Sequence, residues 1–185
     1  MDLAPLAPDS TLPRMARLFV ALWPSAGTRR ALEEQRRRWN WPERAALVAP
    51  EAMHLTLQFI GPVPLPDVPH VAEALRVPAR PFTLTFADAR VWPNGVAVLE
   101  PNHVPSGLHD LVEGLRGALG RLGLPVESRP YKPHVTLARN AAGAVPPDAM
   151  DPPLIWRAVA GYTLVQSRHG YHVLQRYPCG DPLSA

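Results

Sequence analysis

Cysteine, lysine and long apolar runs are the scarce features of this 185-residue sequence. Its one cysteine, Cys179, excludes an internal disulfide framework and is typical of a reducing compartment, so we expect a cytoplasmic protein. Lys132 is the one lysine, and a net charge of +3 does not indicate a polycationic nucleic-acid binder. No run approaches the roughly 20 apolar residues of a membrane-spanning helix, and the amino terminus lacks a secretory signal pattern. We therefore expect no association with a membrane.

The composition predicts one folded domain. With 46% hydrophobic and 19% charged residues, the chain is globular in composition, and its length suffices for one core. Residues 1–14 are rich in proline and alanine, and we expect a disordered leader there, followed by a single domain over residues 15–185. Met15 stands directly before the first apolar run and is a candidate natural start. Since no feature requires a partner chain, we expect a monomer.

A four-residue phrase occurs twice in the chain. His54 begins the phrase HLTL, and His134 begins the phrase HVTL 80 residues later. On a strand, residues i and i+2 face the same way, so each phrase sets an imidazole beside a hydroxyl, that of Thr56 or Thr136, roughly 7 Å away. One phrase alone is typical of an ordinary half-buried strand. Two facing pairs would supply the acid, the base and the hydrogen bonds that in-line attack on a phosphodiester requires.

The pattern of elements around these phrases indicates a duplicated α+β unit, in which a helix precedes each His-Thr strand. Helices are predicted over residues 26–39, 66–76 and 106–122, with Ser25 as N-cap of the first. Strands are predicted over residues 18–23, 46–48, 53–60, 82–86, 133–138, 155–166 and 171–177, and Asn94-Gly95 predicts a hairpin turn. Gly61-Pro62 is expected to end the first His-Thr strand.

Longer blocks around both phrases resemble the 2H phosphoesterases, which are named for two His-x-Thr-x motifs. Within them the chain is similar to the bacterial RNA 2′,3′-cyclic phosphodiesterases, also called 2′-5′ RNA ligases. The matching blocks are residues 17–24 (RLFVALWP), 50–61 (PEAMHLTLQFIG) and 129–139 (RPYKPHVTLAR), with Ser167 and Tyr171 fitting the closing strands. The resemblance covers residues 17–178. It implies a bilobal α+β fold with two antiparallel sheets, outer helices, a V-shaped central cleft and a pseudo-twofold duplication.

The same resemblance implies hydrolysis of an RNA or nucleotide 2′,3′-cyclic phosphate to a 2′-phosphate, without metal or cofactor, and with 2′-5′ ligation as the reverse reaction. An unperturbed histidine pKa of roughly 6.5 lets one ring be neutral and the other protonated near neutral pH. We assign His134 as general base and His54 as general acid. Thr56 and Thr136 would bind the non-bridging phosphoryl oxygens.

Three further residues would bind substrate by this resemblance. Phe59 would stack on the terminal base, Arg139 would contact the phosphate or nucleotide, and Tyr131 would line the same cleft. Phe59 and Arg139 each follow a motif histidine by five positions. Simple alternation puts an offset of five on the opposite face of a strand, so both assignments need a strand end or a twist.

Other interpretations stay open at this point. The arginines of the first predicted helix indicate a solvated helix face more than a patch that guides RNA. His169 and His172 have the spacing of zinc ligands, but no third ligand lies nearby in the sequence, and we expect no metal site. A cyclic phosphate of an ADP-ribose derivative is an alternative substrate. A non-catalytic module that binds RNA ends is an alternative function.

Overall fold

The computed structural model describes residues 14–180, and these form a nine-stranded antiparallel sheet with three α-helices. The strands are β1 Met15–Leu22, β2 Ala46–Leu47, β3 Leu55–Pro64, β4 Phe82–Val91, β5 Ala97–Pro101, β6 Val135–Arg139, β7 Leu154–Ala158, β8 Tyr162–Ser167 and β9 Tyr171–Tyr177. The helices are α1 Ala26–Arg37, α2 Val68–Ala74 and α3 Ser106–Arg121. The predicted leader lies outside the described residues except for Arg14, whose carbonyl accepts a hydrogen bond from the Leu65 N–H at 2.8 Å.

The sheet consists of two similar halves. Its strand order is β7-β4-β5-β6-β3-β1-β8-β9, with β2 added on β6, and the halves meet where β6 pairs with β3 through Leu55 and Val135. Each half repeats the same unit, in which a strand leads through a helix to the motif strand beside it (β1-α1-β3 and β5-α3-β6). The prediction of a duplicated α+β antiparallel fold is confirmed. The two expected sheets are the halves of one continuous hydrogen-bonded sheet.

The helices form where the sequence supplies caps and apolar faces. Ser25 caps α1, because its hydroxyl accepts a hydrogen bond from the Thr28 backbone N–H at 3.2 Å. In α3, apolar residues recur at intervals of three and four, so one face packs against the sheet. The buried side chains of that face are Leu108, Leu111, Val112, Leu115, Ala118 and Leu119. The Asn94-Gly95 hairpin is also confirmed, since β4 and β5 pair up to Val91 and Ala97.

The first motif strand is longer than predicted. Gly61-Pro62 does not end it, and β3 continues to Pro64 while paired with β1. The register shifts between Leu18 and Phe19, where Leu18 pairs with Gly61 and Phe19 with Phe59. Gly61 has a φ of +86°, a conformation that glycine adopts without steric cost, so the irregularity is absorbed as a bulge instead of ending the strand.

The single strand predicted over residues 155–166 is wrong, because the structure divides it between opposite ends of the sheet. β7 pairs with β4 in one half, and β8 pairs with β1 in the other. Gly161 stands at the break with a φ of +90°, and a Cβ there would lie 1.9 Å from the carbonyl oxygen of Tyr177. The crossing therefore depends on a glycine between two apolar runs that look continuous in the sequence.

Candidate active site

The two motifs meet at the centre of the sheet. Leu55 pairs with Val135 in an antiparallel register, and extending that register by one residue sets His54 opposite Thr136 and Thr56 opposite His134. Each imidazole therefore stands across from the hydroxyl of the other motif. The four side chains line one cavity of about 330 Å³. The four residues that the repeated phrase singled out are thus brought together on one face.

The backbone determines which nitrogen of each ring faces the cavity. His54 Nδ1 lies 2.7 Å from the carbonyl oxygen of Ala52, and His134 Nδ1 lies 2.8 Å from that of Lys132. A carbonyl oxygen only accepts, so Nδ1 carries a proton in both rings. Nε2 is left for a ligand in each case. It is a base in the neutral ring and a donor in the imidazolium.

His54 lies among aromatic rings. Trp23 stacks on it with ring planes 3° apart and centroids 5.4 Å apart, and Tyr171 meets it edge-on at 5.1 Å. The Phe19 ring is tilted by 33° against it, with centroids 5.0 Å apart. This burial lowers the pKa of His54, since the charged form loses hydration. The hydrogen bond to Ala52 opposes the shift, and the positive charges of His134 and Arg139 add to it. The neutral ring is therefore favoured in the free protein.

His134 has a different environment, which includes a carboxylate. Trp92 packs against the ring with centroids 4.5 Å apart. Burial again lowers the pKa of His134, but the hydrogen bond to Lys132 and the negative charge of Glu100 both raise it. The charges of Lys132 and Arg139 lower it further. The two histidines of the duplicated motif are therefore electrostatically unequal.

Glu100 is a buried carboxylate near His134, and it is the centre of a polar cluster. Only 7% of the residue is exposed, and its carboxylate accepts a hydrogen bond from Trp92 Nε1 at 2.6 Å. Lys132 Nζ lies 2.8 Å from one carboxylate oxygen and Arg90 Nε 3.2 Å from the other. Burial alone would raise the pKa of Glu100, but the bonds from Lys132 and Trp92 lower it overall. The side chain is thus held as a carboxylate.

Phe59 and Arg139 lie on the cavity side because both motif strands contain a bulge. Along β1, Val20 pairs with Gln58 and Ala21 with Thr56, so Leu57 is an extra residue. Along β5, Val98 pairs with Thr136 and Ala97 with Ala138, so Leu137 is extra in the same way. Each bulge resets the alternation of side chains. Phe59 and Arg139 accordingly line the same cavity as the histidines.

Tyr131 occupies a different position from these two residues. It lines a neighbouring cavity, and its hydroxyl donates a hydrogen bond to the carbonyl oxygen of Thr56 at 2.9 Å. Burial raises the pKa of the Tyr131 hydroxyl, so it remains a donor. The contact supports β3 at the motif threonine.

Several residues of the site were not predicted from the sequence. Trp23 is one of them. It directly follows the first strand, whose last residue, Leu22, pairs with Leu55 beside His54, and this place in the chain brings it to the histidine. Arg17 also lines the cavity, with its guanidinium 5.0 Å from the centroid of the Phe59 ring. Glu100 carries no local motif and comes to His134 only through the pairing of β5 with β6.

Among residues 14–180, no three His, Cys, Asp or Glu side chains are grouped so that they could hold a metal ion. His169 and His172, which have zinc-like spacing, line a shallow surface hollow with Gln166 and Arg168. His172 Nε2 lies 2.9 Å from the carbonyl oxygen of Arg168.

A duplicated antiparallel sheet with a His-Thr pair from each half in one cavity defines the class of two-histidine phosphoesterases. The family model described as the 2′-5′ RNA ligase superfamily matches residues 23–153. The chain belongs to the 2′-5′ RNA ligase superfamily, as the resemblance of its motif blocks predicted.

Known proteins similar to this chain carry consistent descriptions. The RNA 2′,3′-cyclic phosphodiesterase of Escherichia coli is 36% identical over 158 residues, which cover 82% of this chain and 86% of that protein. The protein of the same description from Thermus thermophilus is 33% identical over 164 residues, covering 82% and 81%. The crystal structure of E. coli LigT complexed with 3′-AMP matches with a TM-score of 0.82 at 30% identity, over 91% of this chain and 100% of that one.

Proposed function

We propose that this protein hydrolyses 2′,3′-cyclic phosphate ends of RNA or nucleotides to 2′-phosphates, using two histidines and no metal or cofactor. One observation carries the proposal. Both motif histidines have Nδ1 tied to a backbone carbonyl, and each stands across from the threonine of the other motif in one cavity. That arrangement leaves two Nε2 atoms and two hydroxyls for one phosphodiester. The descriptions of the similar proteins support the same reaction.

In the proposed steps one histidine takes up a proton and the other gives one up. His134 Nε2 takes a proton from water as the water oxygen forms a bond to phosphorus. The bond from phosphorus to O3′ breaks, and His54 Nε2 gives its proton to O3′, which leaves a 3′-hydroxyl and a 2′-phosphate. Glu100 raises the pKa of His134 and so stabilises the imidazolium that forms there. On this ground His134 is assigned as the base. His54 is assigned as the acid and must enter the reaction protonated, although burial lowers its pKa in the free protein.

The remaining residues of the cavity bind the substrate in this proposal. The hydroxyls of Thr56 and Thr136 and the guanidinium of Arg139 hold the non-bridging oxygens, where negative charge increases during attack. Phe59, with 49% of its surface exposed, offers a ring face to the terminal base. When a 5′-hydroxyl of RNA takes the place of water, the same steps form a 2′-5′ linkage.

The test is incubation of the purified protein with EDTA and a 2′,3′-cyclic nucleotide, with the product identified by phosphorus NMR. We expect a 2′-phosphate. A 3′-phosphate would contradict the proposed breaking of the bond to O3′. Tight binding of the cyclic nucleotide without turnover between pH 5 and 9 would favour a binding module instead. Loss of turnover with EDTA, restored by a divalent metal, would contradict the metal-independent mechanism.

We also propose that the protein acts as a monomer in a bacterial cytoplasm. A lone cysteine supports a reducing compartment. No helix between residues 14 and 180 is long and apolar enough to cross a membrane. Light scattering on the purified protein should give the mass of one chain, and a mass of two chains would refute the monomer.

A further inference from the structure

A second cavity, which the proposed reaction does not use, opens beside the first. It has a volume of about 410 Å³ and shares three wall residues with the cavity of the histidines, namely Thr56, Phe59 and His134. Its position is therefore set by the site that would hold the reacting phosphate. Phe59, on which the terminal base would stack, belongs to both walls, so a strand that continues beyond the terminal nucleoside reaches the second cavity.

The lining of the second cavity suits a nucleoside. Much of the wall is aromatic or apolar, from Phe59, Trp92, Tyr131 and Pro130. The indole of Trp92 is held from behind by its hydrogen bond to Glu100, and Tyr131 is held by its bond to Thr56. Fixed aromatic rings favour the stacking of a base, because little side-chain freedom is lost on binding.

Three cationic side chains lie around this cavity. Arg116, Arg129 and Lys132 line it, and Glu127 is the acidic residue of its wall. Each cation lies within 3.0 Å of a carboxylate, that of Glu113, Glu127 and Glu100 respectively, and a phosphate would replace that carboxylate as the partner. Glu127 lies 2.6 Å from the Arg129 guanidinium, and Arg129 lowers the pKa of that carboxyl to about 2, so Glu127 is negatively charged and offsets Arg129. The cavity thus pairs aromatic surfaces with cations, which is the combination that binds single-stranded nucleic acid.

Another hollow adjoins the opposite side of the first cavity and has different chemistry. It shares Ala52, Ser167 and Tyr171 with the cavity of the histidines. The described residues that line it include Glu51 but no arginine or lysine. Between these two neighbours, a polyanion is directed toward the cavity of Trp92 and Arg129.

We propose that the second cavity is a binding subsite for the nucleotide that precedes the terminal one in an RNA strand. This inference rests on the proposed function, because it places the cyclic phosphate between the two histidines. A cyclic phosphate end is a 3′ end, so the strand continues from it in the 5′ direction only. The protein then prefers RNA ends of at least two nucleotides over cyclic mononucleotides.

The ion pair of Glu127 and Arg129 provides a test, because replacing its two members should change nucleotide binding in opposite directions. Arg129→Gln removes a cation from the subsite and should weaken its hold on the penultimate nucleotide. Glu127→Gln frees the same cation and should strengthen that hold. If the ion pair only stabilised the fold, both substitutions would break it and would change binding in the same direction. Arg157→Gln, on the distant edge strand β7, is the matched control.

The experiment compares uridine 2′,3′-cyclic phosphate with the dinucleotide ApU ending in the same cyclic phosphate. For the wild type we expect kcat/KM for the dinucleotide to exceed that for the mononucleotide by about tenfold, because one stacked base typically strengthens binding by about that factor. That ratio should fall several-fold in Arg129→Gln, rise in Glu127→Gln and keep its wild-type value in Arg157→Gln. Calorimetry with the corresponding 2′-phosphates measures the same preference as a ratio of Kd values, independently of turnover.

Equal kcat/KM and equal Kd for the two lengths in the wild type would overturn the subsite, while hydrolysis of both would leave the proposed function standing. A change of the ratio in the same direction in both variants would also overturn it. If neither substrate were hydrolysed but the dinucleotide product bound about tenfold more tightly, the subsite would be supported and the proposed reaction would fail.

Discussion

The Glu100 carboxylate lies 2.8 Å from the ammonium of Lys132, two residues before His134. The carbonyl of Lys132 accepts the hydrogen bond from His134 Nδ1, and Trp92, which donates to the same carboxylate, packs on the imidazole. One buried carboxylate therefore holds His134 through two neighbours. No carboxylate contributes to the pKa of His54 among the described residues; aromatic rings surround it instead. The duplicated motif thus has two unlike environments, which supports two unlike roles.

Replacing Glu100 by Gln should move one side of the pH profile. The carboxylate charge raises the pKa of His134, so its removal lowers that pKa further. If His134 is the general base, activity is lost as pH falls through its pKa, and the acidic limb of kcat/KM should move to lower pH. NMR titration of the His134 ring checks the shift directly. Movement of the alkaline limb instead would assign His134 as the acid. Glu73→Gln, an exposed partner of Arg76, is the control.

Trp23→Ala should act on the other histidine. Burial is the main cause of the lowered pKa of His54, and Trp23 covers one face of its ring. Water admitted by the substitution should raise that pKa toward its ordinary value of 6.5. A general acid with a higher pKa stays protonated to higher pH, so the alkaline limb should move up. His134 serves as the internal control in the same NMR titration. A lowered pKa of His54 would refute burial by Trp23 as the cause.

The wild-type pH profile should have its maximum on the acidic side of pH 6.5. The reaction needs one protonated and one neutral histidine, and the pKa of both rings is lowered from 6.5 in the free protein. Above that region the acid loses its proton, and well below it the base gains one. Measurement of kcat/KM between pH 4.5 and 8.5 tests this. A maximum above pH 7 would contradict the lowered pKa values.

His54→Ala and His134→Ala should each reduce kcat by about 10²- to 10⁴-fold, the usual contribution of one acid or base. Both rings lie at the cavity wall and not in the apolar core, so thermal unfolding should remain cooperative. The matched control is His109→Ala, an exposed histidine of α3 that should keep full activity. Undiminished turnover in either motif variant would refute the two-histidine mechanism.

Gly161→Ala should destabilise the fold by at least about 2 kcal/mol, because it combines backbone strain with a steric clash. The Cβ would lie 1.9 Å from the Tyr177 carbonyl oxygen at a φ of +90°. Gly120→Ala is the matched control, since it lies in α3 with no atom within 4 Å of the added Cβ. Alanine should stabilise that helix by up to about 1 kcal/mol. Urea unfolding of both variants measures the difference, and equal effects would refute the role of Gly161.

The local sequence predicted those features that depend on neighbours along the chain. The apolar repeat of α3, the Ser25 cap and the Asn94-Gly95 hairpin are of this kind, and each is present. The break at Gly161 was missed, because the contact that requires glycine comes from Tyr177 on another strand. The predicted strand end at Gly61 was wrong for a related reason. A glycine in a strand can form a bulge as readily as it ends the strand, and only the pairing with β1 decides between them.

For the candidate site, the sequence by itself determined that each histidine shares a strand face with its threonine, because the period of a strand is two residues. Tertiary structure decided the rest. Bulges at Leu57 and Leu137 turn Phe59 and Arg139 to the cavity, and they exist only in the register with β1 and β5. The different surroundings of His54 and His134 come from Trp23 and Glu100, which are distant in sequence. Alternation is a property of one strand, whereas register and burial belong to the assembled sheet.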